Sequence, residues 1–112
     1  MATVNYTTGP ISSSDDMDQI RIEILNNSSS RQTARVRLYD LSFAPKRLLI
    51  SQEIRLQARS TATIDIPASN LERWEVQVSA TSTSVRPWVG GKSKGQNIPG
   101  TVVLNSQFMR FG

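Results

Sequence analysis

The sequence predicts an all-β protein, an antiparallel β-sandwich of about seven strands with an extended N-terminal arm. Three observations predict it. Apolar and polar residues alternate strictly in Trp74-Glu75-Val76-Gln77-Val78-Ser79-Ala80, the two-residue period of a strand with one dry face and one wet face. The same alternation recurs at Ile20-Arg21-Ile22-Glu23-Ile24, over Thr33 to Tyr39, and over Thr61 to Ile66. Breaks rich in Asn, Ser, Gly and Pro separate these runs at intervals of about ten residues, which is sandwich spacing.

In chain order, residues 1–18 read as a flexible or strand-exchanging arm, and residues 19–112 as the sandwich domain. In the arm, Val4 and Tyr6 alternate briefly. Thr7-Thr8-Gly9-Pro10 then breaks the pattern, and Ser12-Ser13-Ser14-Asp15-Asp16 follows. Ile20 to Ile24 is the first strand of the domain, and Asn26-Asn27-Ser28-Ser29-Ser30 turns the chain because short polar side chains bond nearby backbone. Ala34, Val36 and Leu38 point inward on the next strand, with Arg35, Arg37 and Tyr39 outward. Ala44-Pro45 marks a loop, since the residue before proline is pushed out of the helical region. Leu48 to Leu56 fits both a helix and a strand; its Ile content and its neighbours favour one long or bulged strand.

Thr61 to Ile66 ends at Pro67, which cannot donate to a ladder. Ala68 to Leu71 forms a short turn before the Trp74 strand. Val85-Arg86-Pro87-Trp88-Val89 is an edge strand or a bulge because it contains Pro87. Gly90 to Asn97 reads as a long hairpin loop, Thr101 to Leu104 as the return strand, and Phe108 to Phe111 as a last apolar piece. The expected core is Ile20, Ile22, Ile24, Val36, Leu38, Ile64, Ile66, Trp74, Val76 and Val78.

Composition limits the chemistry. The 112 residues suffice for one core without staples. Cysteine and histidine are both absent, which removes disulfides, the usual zinc, haem and iron–sulfur ligand sets, and Ser-His-Asp or Cys-His nucleophiles. No cofactor, metal site or small-molecule substrate is expected. The net charge is +4, but ten of the thirteen basic residues are Arg and they are scattered over several strands. Interspersed charge of this kind keeps β surfaces soluble and deters edge pairing. No apolar run exceeds three residues, so membrane insertion is not expected. The first residues lack the basic and apolar regions of a signal peptide. The expected location is therefore cytoplasmic, or a spore or cell surface reached by a signal-less route.

Gly91-Lys92-Ser93 resembles the end of a phosphate-binding loop, but Arg86 stands where the pattern needs glycine and no helix follows. Asp15, Asp16 and Asp18 lack the glycine and closing glutamate of a calcium loop. Asp40, Asp65, Glu72 and Glu75 are carboxylates with nothing in the sequence to set two across a cleft. Arg86, Trp88, Lys92, Lys94 and Arg110 could group as basic residues around an aromatic platform, the pattern that holds single-stranded nucleic acid.

Ile22-Glu23-Ile24-Leu25-Asn26-Asn27, Val36-Arg37-Leu38-Tyr39-Asp40, Pro45-Lys46, Trp74-Glu75-Val76-Gln77-Val78 and Pro99-Gly100…Val103-Leu104 carry a wider resemblance. The succession resembles immunoglobulin-like sandwiches of the cell-adhesion-related type, and small cysteine-poor proteins of spore-forming Firmicutes. That resemblance implies an immunoglobulin-like sandwich with a structural or surface role and no catalytic residues. The expected function is thus a non-enzymatic structural protein that pairs with itself as a homo-oligomer or fibre subunit. Strand edges and the arm would make the contact, with Val4, Tyr6 and Pro87 as the assembly residues. The alternative is a polyanion or nucleic-acid binder using the basic hairpin; nucleic acid is the less favoured partner.

Overall fold

A computed structural model describes residues 3–13, 17–98 and 101–111. It contains two antiparallel sheets packed face to face. The strands are β1 (Val4–Thr7), β2 (Ile11–Ser12), β3 (Gln19–Asn26), β4 (Gln32–Asp40) and β5 (Arg47–Leu56). They continue as β6 (Thr61–Pro67), β7 (Arg73–Ala80), β8 (Val85–Ser93), β9 (Gln96–Asn97) and β10 (Met109–Phe111). One sheet runs β10-β1-β7-β4-β5, with β2 also lying along β7; the other runs β6-β3-β8-β9. No helix among the described residues is long and apolar enough to cross a membrane.

The alternation in sequence becomes the inside and outside of this sandwich. Ile20, Ile22 and Ile24 on β3, Ala34, Val36 and Leu38 on β4, and Trp74, Val76, Val78 and Ala80 on β7 are all buried. Each large side chain so buried is worth about 1.5–3 kcal/mol, and a one-residue slip would turn the whole set to solvent. Of the expected core, Ile64 alone is only half-buried, because β6 lies at a sheet edge. The outer face of the first sheet is a polar ladder. Ser79 Oγ donates to Asn5 Oδ1 (2.7 Å), Arg37 donates to Ser79 Oγ (3.4 Å) and Arg35 donates to Ser51 Oγ (3.0 Å).

The arm is corrected by the structure. β1 pairs with β7 and β10, and β2 pairs with β7 through Ile11 opposite Trp74. Together they are one strand kinked at Gly9, whose φ of 69° is a glycine conformation. Tyr6, Ile11 and Met17 are buried in the chain's own core, and Trp74 Nε1 donates to Ser13 Oγ at 2.9 Å. Val4 and Tyr6 give only two alternating apolar positions and Ile11 stands alone, too short a pattern to assign these residues to this chain's own sheet, so they read as an arm. Ser14, Asp15 and Asp16 lie outside the described residues.

Two further expectations change. β8 continues through Gly90 and Gly91, and the hairpin is tight: Lys94 and Gly95 turn it with φ of 50° and 82°, the pair of positive angles a two-residue hairpin turn uses. The glycines stay in the strand because neighbours take the space of a side chain. A Cβ at Gly90 would stand 2.7 Å from the Trp88 ring, and one at Gly91 would stand 2.7 Å from Met17 Sδ. The expected return strand shrinks to one bridge, Val103 opposite Val89.

Candidate functional site

The open edges of the two sheets are where this fold can meet something else. β5 has ten residues and is the longest strand; it pairs with β4 on one side, and no strand pairs its other side among the described residues. Its register with β4 sets Ile50 opposite Leu38, Gln52 opposite Val36 and Ile54 opposite Ala34, so these three face inward. Leu49 is an extra residue at a bulge, since Tyr39 pairs with Leu48 and Leu38 with Ile50. Leu48 and Leu49 are 48% and 44% exposed, more than their apolar surface would be if a partner covered them. Arg47 stacks over the exposed Phe43 ring at 3.8 Å. Beside this edge the sheets gape: Leu38, Leu49, Ile50, Ile66 and Leu71 line an open cleft of about 450 Å³.

Behind the edge, a charged cluster stiffens the same sheet. Glu75 on β7 is 8% exposed and accepts hydrogen bonds from Lys46 Nζ (2.6 Å), Gln77 Nε2 (3.2 Å) and the Thr7 hydroxyl. Lys46 also sits over the Tyr39 ring at 4.5 Å. Burial pushes the Glu75 carboxyl up, but the three hydrogen bonds and the Lys46 charge outweigh it and hold the group below its ordinary value. The arrangement ties β1 to β7 and the loop before β5.

The assembly residues of the sequence reading lie inside the fold. Val4 pairs opposite Ala80, Tyr6 is 7% exposed, and Pro87 is buried opposite Ile24. Pro87 does stand on a strand side with little pairing, since beyond β8 there are only β9 and the Val103 bridge.

The basic set divides. Trp88 faces outward over Gly90 with Glu23 opposite it in register. The Lys94 backbone N–H donates to Asp18 (3.0 Å), and Lys92 lies close enough to Asp65 to lower that carboxyl further. Asp65 is held below the usual carboxylate range chiefly by its hydrogen bond from Arg21 (2.7 Å). Acids therefore interleave with Trp88, Lys92 and Lys94. Arg86 and Arg110 are different: they come together with Tyr6, Thr83, Asn105 and Phe108 around one cleft of about 350 Å³. The β1–β10 pairing sets Arg110 beside Tyr6 at this cleft.

Asn26 was missed as more than a turn residue. It is fully buried, and its Nδ2 donates to the carbonyls of Ser30 (2.9 Å), Leu56 (3.3 Å) and Gln57 (3.0 Å) while Oδ1 accepts the Ser28 N–H (3.0 Å). It clasps the turn after β3 to the end of β5.

The two-sheet architecture has a counterpart among known structures. The chain is similar to a protein described as Thermotoga maritima 1070, with a TM-score of 0.55 and 7% identity over 96% of this chain and 90% of that one. It is also similar to the Anabaena sensory rhodopsin transducer, with a TM-score of 0.47 and 10% identity over 84% of each chain. The first likeness concerns fold alone. No family model and no curated protein matches the sequence.

Proposed function

We propose that the protein is a non-enzymatic structural module that associates with copies of itself through an exposed sheet edge, with β5 as the pairing strand. The single observation that carries this reading is a ten-residue strand, unpaired on its outer side among the described residues, with exposed leucines near its start. The strand is self-complementary in one register. Two copies placed antiparallel about Gln52 set Ile50 opposite Ile54 of the second copy on the inward face. Ser51 then stands opposite Glu53, and no like charges oppose one another. A shift of two residues either way sets Arg47 against Arg55, or Glu53 against Glu53, which is repulsive. The result is a closed two-fold pair with one sheet continuous across it.

The opposite edge of that sheet carries exposed Met109 and Phe111 on β10. A second contact there would extend pairs into a fibre. An immunoglobulin-like arrangement belongs to this reading as well. Counting β1 and β2 as the first strand, the second pairs with the fifth and the third with the sixth in separate sheets, as in that fold. The first and last strands lie in exchanged sheets relative to it. A setting on a spore or cell surface, and kinship with proteins of spore-formers, rest on the sequence resemblance alone.

A cysteine at the proposed dyad tests the function. The chain has no native cysteine, so Gln52→Cys under mild oxidation should give a disulfide-linked pair, while Thr61→Cys on the other sheet should stay single. Gln52→Lys should shift the sedimentation of the unmodified protein towards monomer and leave its thermal melt in place. A wild-type protein that sediments as a monomer at millimolar concentration would rule the proposal out.

A second reading, polyanion binding by Arg86, Trp88, Lys92, Lys94 and Arg110, is favoured by one observation, the shared cleft of Arg86 and Arg110. Binding of a short oligonucleotide that weakens steeply with salt would mark it.

A further inference from the structure

We propose that the cleft between β8 and β10 is a binding site for a phosphate group, either inorganic phosphate or a compact phosphate monoester. The proposal is independent of self-association and narrows the polyanion reading to one site. The six lining residues are Tyr6, Thr83, Arg86, Asn105, Phe108 and Arg110, and none is a carboxylate. Among the described residues neither arginine has an ion-pair partner, although Arg21, Arg35 and Lys46 all do. Arg110 pairs in register with Tyr6, whose side chain is in the core, so Arg110 faces the gap between the sheets. Its guanidinium lies 6.0 Å from the Tyr6 ring centroid, within reach of a cation–π attraction that holds it over the cleft. Arg86, which shares the outward parity of Trp88 on β8, lines the same cleft from its rim.

The chemistry of this set selects the ligand. Two guanidinium groups favour a dianion, and each can give two parallel N–H donors to neighbouring oxygens. Asn105 and Thr83 add neutral donors, which suits a tetrahedral group with more than two acceptor oxygens better than a lone carboxylate. Tyr6 and Phe108 are 7% and 8% exposed and offer little apolar surface, so a large hydrophobic ligand body is not accommodated. An inward-pointing charge on an edge strand also deters edge pairing. That accounts for Arg110 by itself but not for the convergence of Arg86 on the same space.

Titration of ¹⁵N-labelled full-length protein with inorganic phosphate, glycerol phosphate and acetate at low ionic strength tests the site. Saturable shifts should appear at Tyr6, Arg86, Asn105 and Arg110, with at least tenfold weaker response to acetate. Glycerol phosphate binding should tighten as pH rises from 5.5 to 7.5, about the range in which a monoester loses its second proton while Arg stays charged. Equal affinity for the two phosphates would mean that only the group is read; tighter glycerol phosphate would assign the monoester. Arg86→Gln, whose side chain is exposed, should abolish the shifts and keep the wild-type melt. Linear unsaturated shifts, shifts spread over all surface arginines, or unchanged binding by Arg86→Gln would overturn the proposal. If a short oligonucleotide binds in a salt-dependent manner while phosphate does not saturate, the broad polyanion reading survives and this site does not.

Discussion

Replacing Asn26 should cost more than its place in a serine-rich turn suggests. Asn26→Ala removes three short bonds, those donated to Ser30 and Gln57 and the one accepted from the Ser28 N–H, and a longer one to the buried Leu56 carbonyl. Each bond is worth about 1 kcal/mol net, and a buried acceptor left without a donor costs a further ~1–3 kcal/mol. The expected loss is about 4–6 kcal/mol, a fall of about 17–25 °C in Tm for a chain of this length. Asn26→Asp should be worse at neutral pH, because it aims a carboxylate at three carbonyl oxygens. That carboxyl would be raised above its unfolded value, so the variant should regain stability as pH falls from the raised folded value to the ordinary carboxylate range, where the protonated acid can donate one bond. Urea denaturation followed by circular dichroism at pH 4 and pH 7 reads both effects. If Ala and Asp variants both unfold within 1 kcal/mol of the parent, the clasp has no energetic role and the reasoning fails.

Two other outcomes follow from the same sheet. Glu75 is held below its ordinary value, so the stability it contributes is complete above the unfolded carboxylate value of about 4.3 and is lost as pH falls through the folded one. Glu75→Gln should flatten the acid limb of the stability curve and cost about 1–2 kcal/mol at neutral pH, Lys46 being exposed enough to rehydrate; an unchanged acid limb would contradict this. Deleting residues 2–12 removes Tyr6 and Ile11 from the core, worth about 3–6 kcal/mol by burial alone, and strips β7 of a neighbour. The truncated chain should lose its cooperative melt, and a synthetic peptide of those residues should restore it. A truncated chain that melts like the parent would return these residues to the status of an arm.

How much was legible follows from what each residue says locally. β3, β4, β6 and β7 were readable because three or four alternate apolar positions repeat a parity, and burial of that parity fixes the register. The bulged β5 was readable for its branched residues. β1 and β2 were not: the brief alternation of Val4 and Tyr6 and a lone Ile11 are too short to say which sheet they join. Their place is set by hydrogen bonds to β7 that only the folded sheet supplies. The Gly90-Gly91 pair misled for a related reason. Glycine signals a turn when nothing else occupies its side-chain space, and here Trp88 and Met17 do. At the candidate sites, the residue types of the basic set were visible but their division was not. Which arginines meet a carboxylate depends on cross-strand register, and the sequence does not print the partner strand.

The four sheet edges are guarded unequally, which is why β5 is the strand proposed to pair. Beyond β8, Pro87 lacks an N–H, and β9 with the Val103 bridge covers part of what remains. β10 is only three residues long and turns Arg110 inward. β6 ends in Pro67 and carries Asp65, bound by Arg21. Charge or proline in these positions makes a neighbouring strand pay desolvation or lose a ladder bond. β5 has a bulge, yet its central inward residue is Gln52, which is polar enough to stay soluble when alone and neutral enough to meet its own copy. A lysine there would block the edge as Arg110 does on β10; a leucine would leave it sticky towards any strand. A glutamine flanked by Ile50 and Ile54 admits one partner geometry over the others, because its amide can both donate to and accept from an identical amide across a two-fold axis.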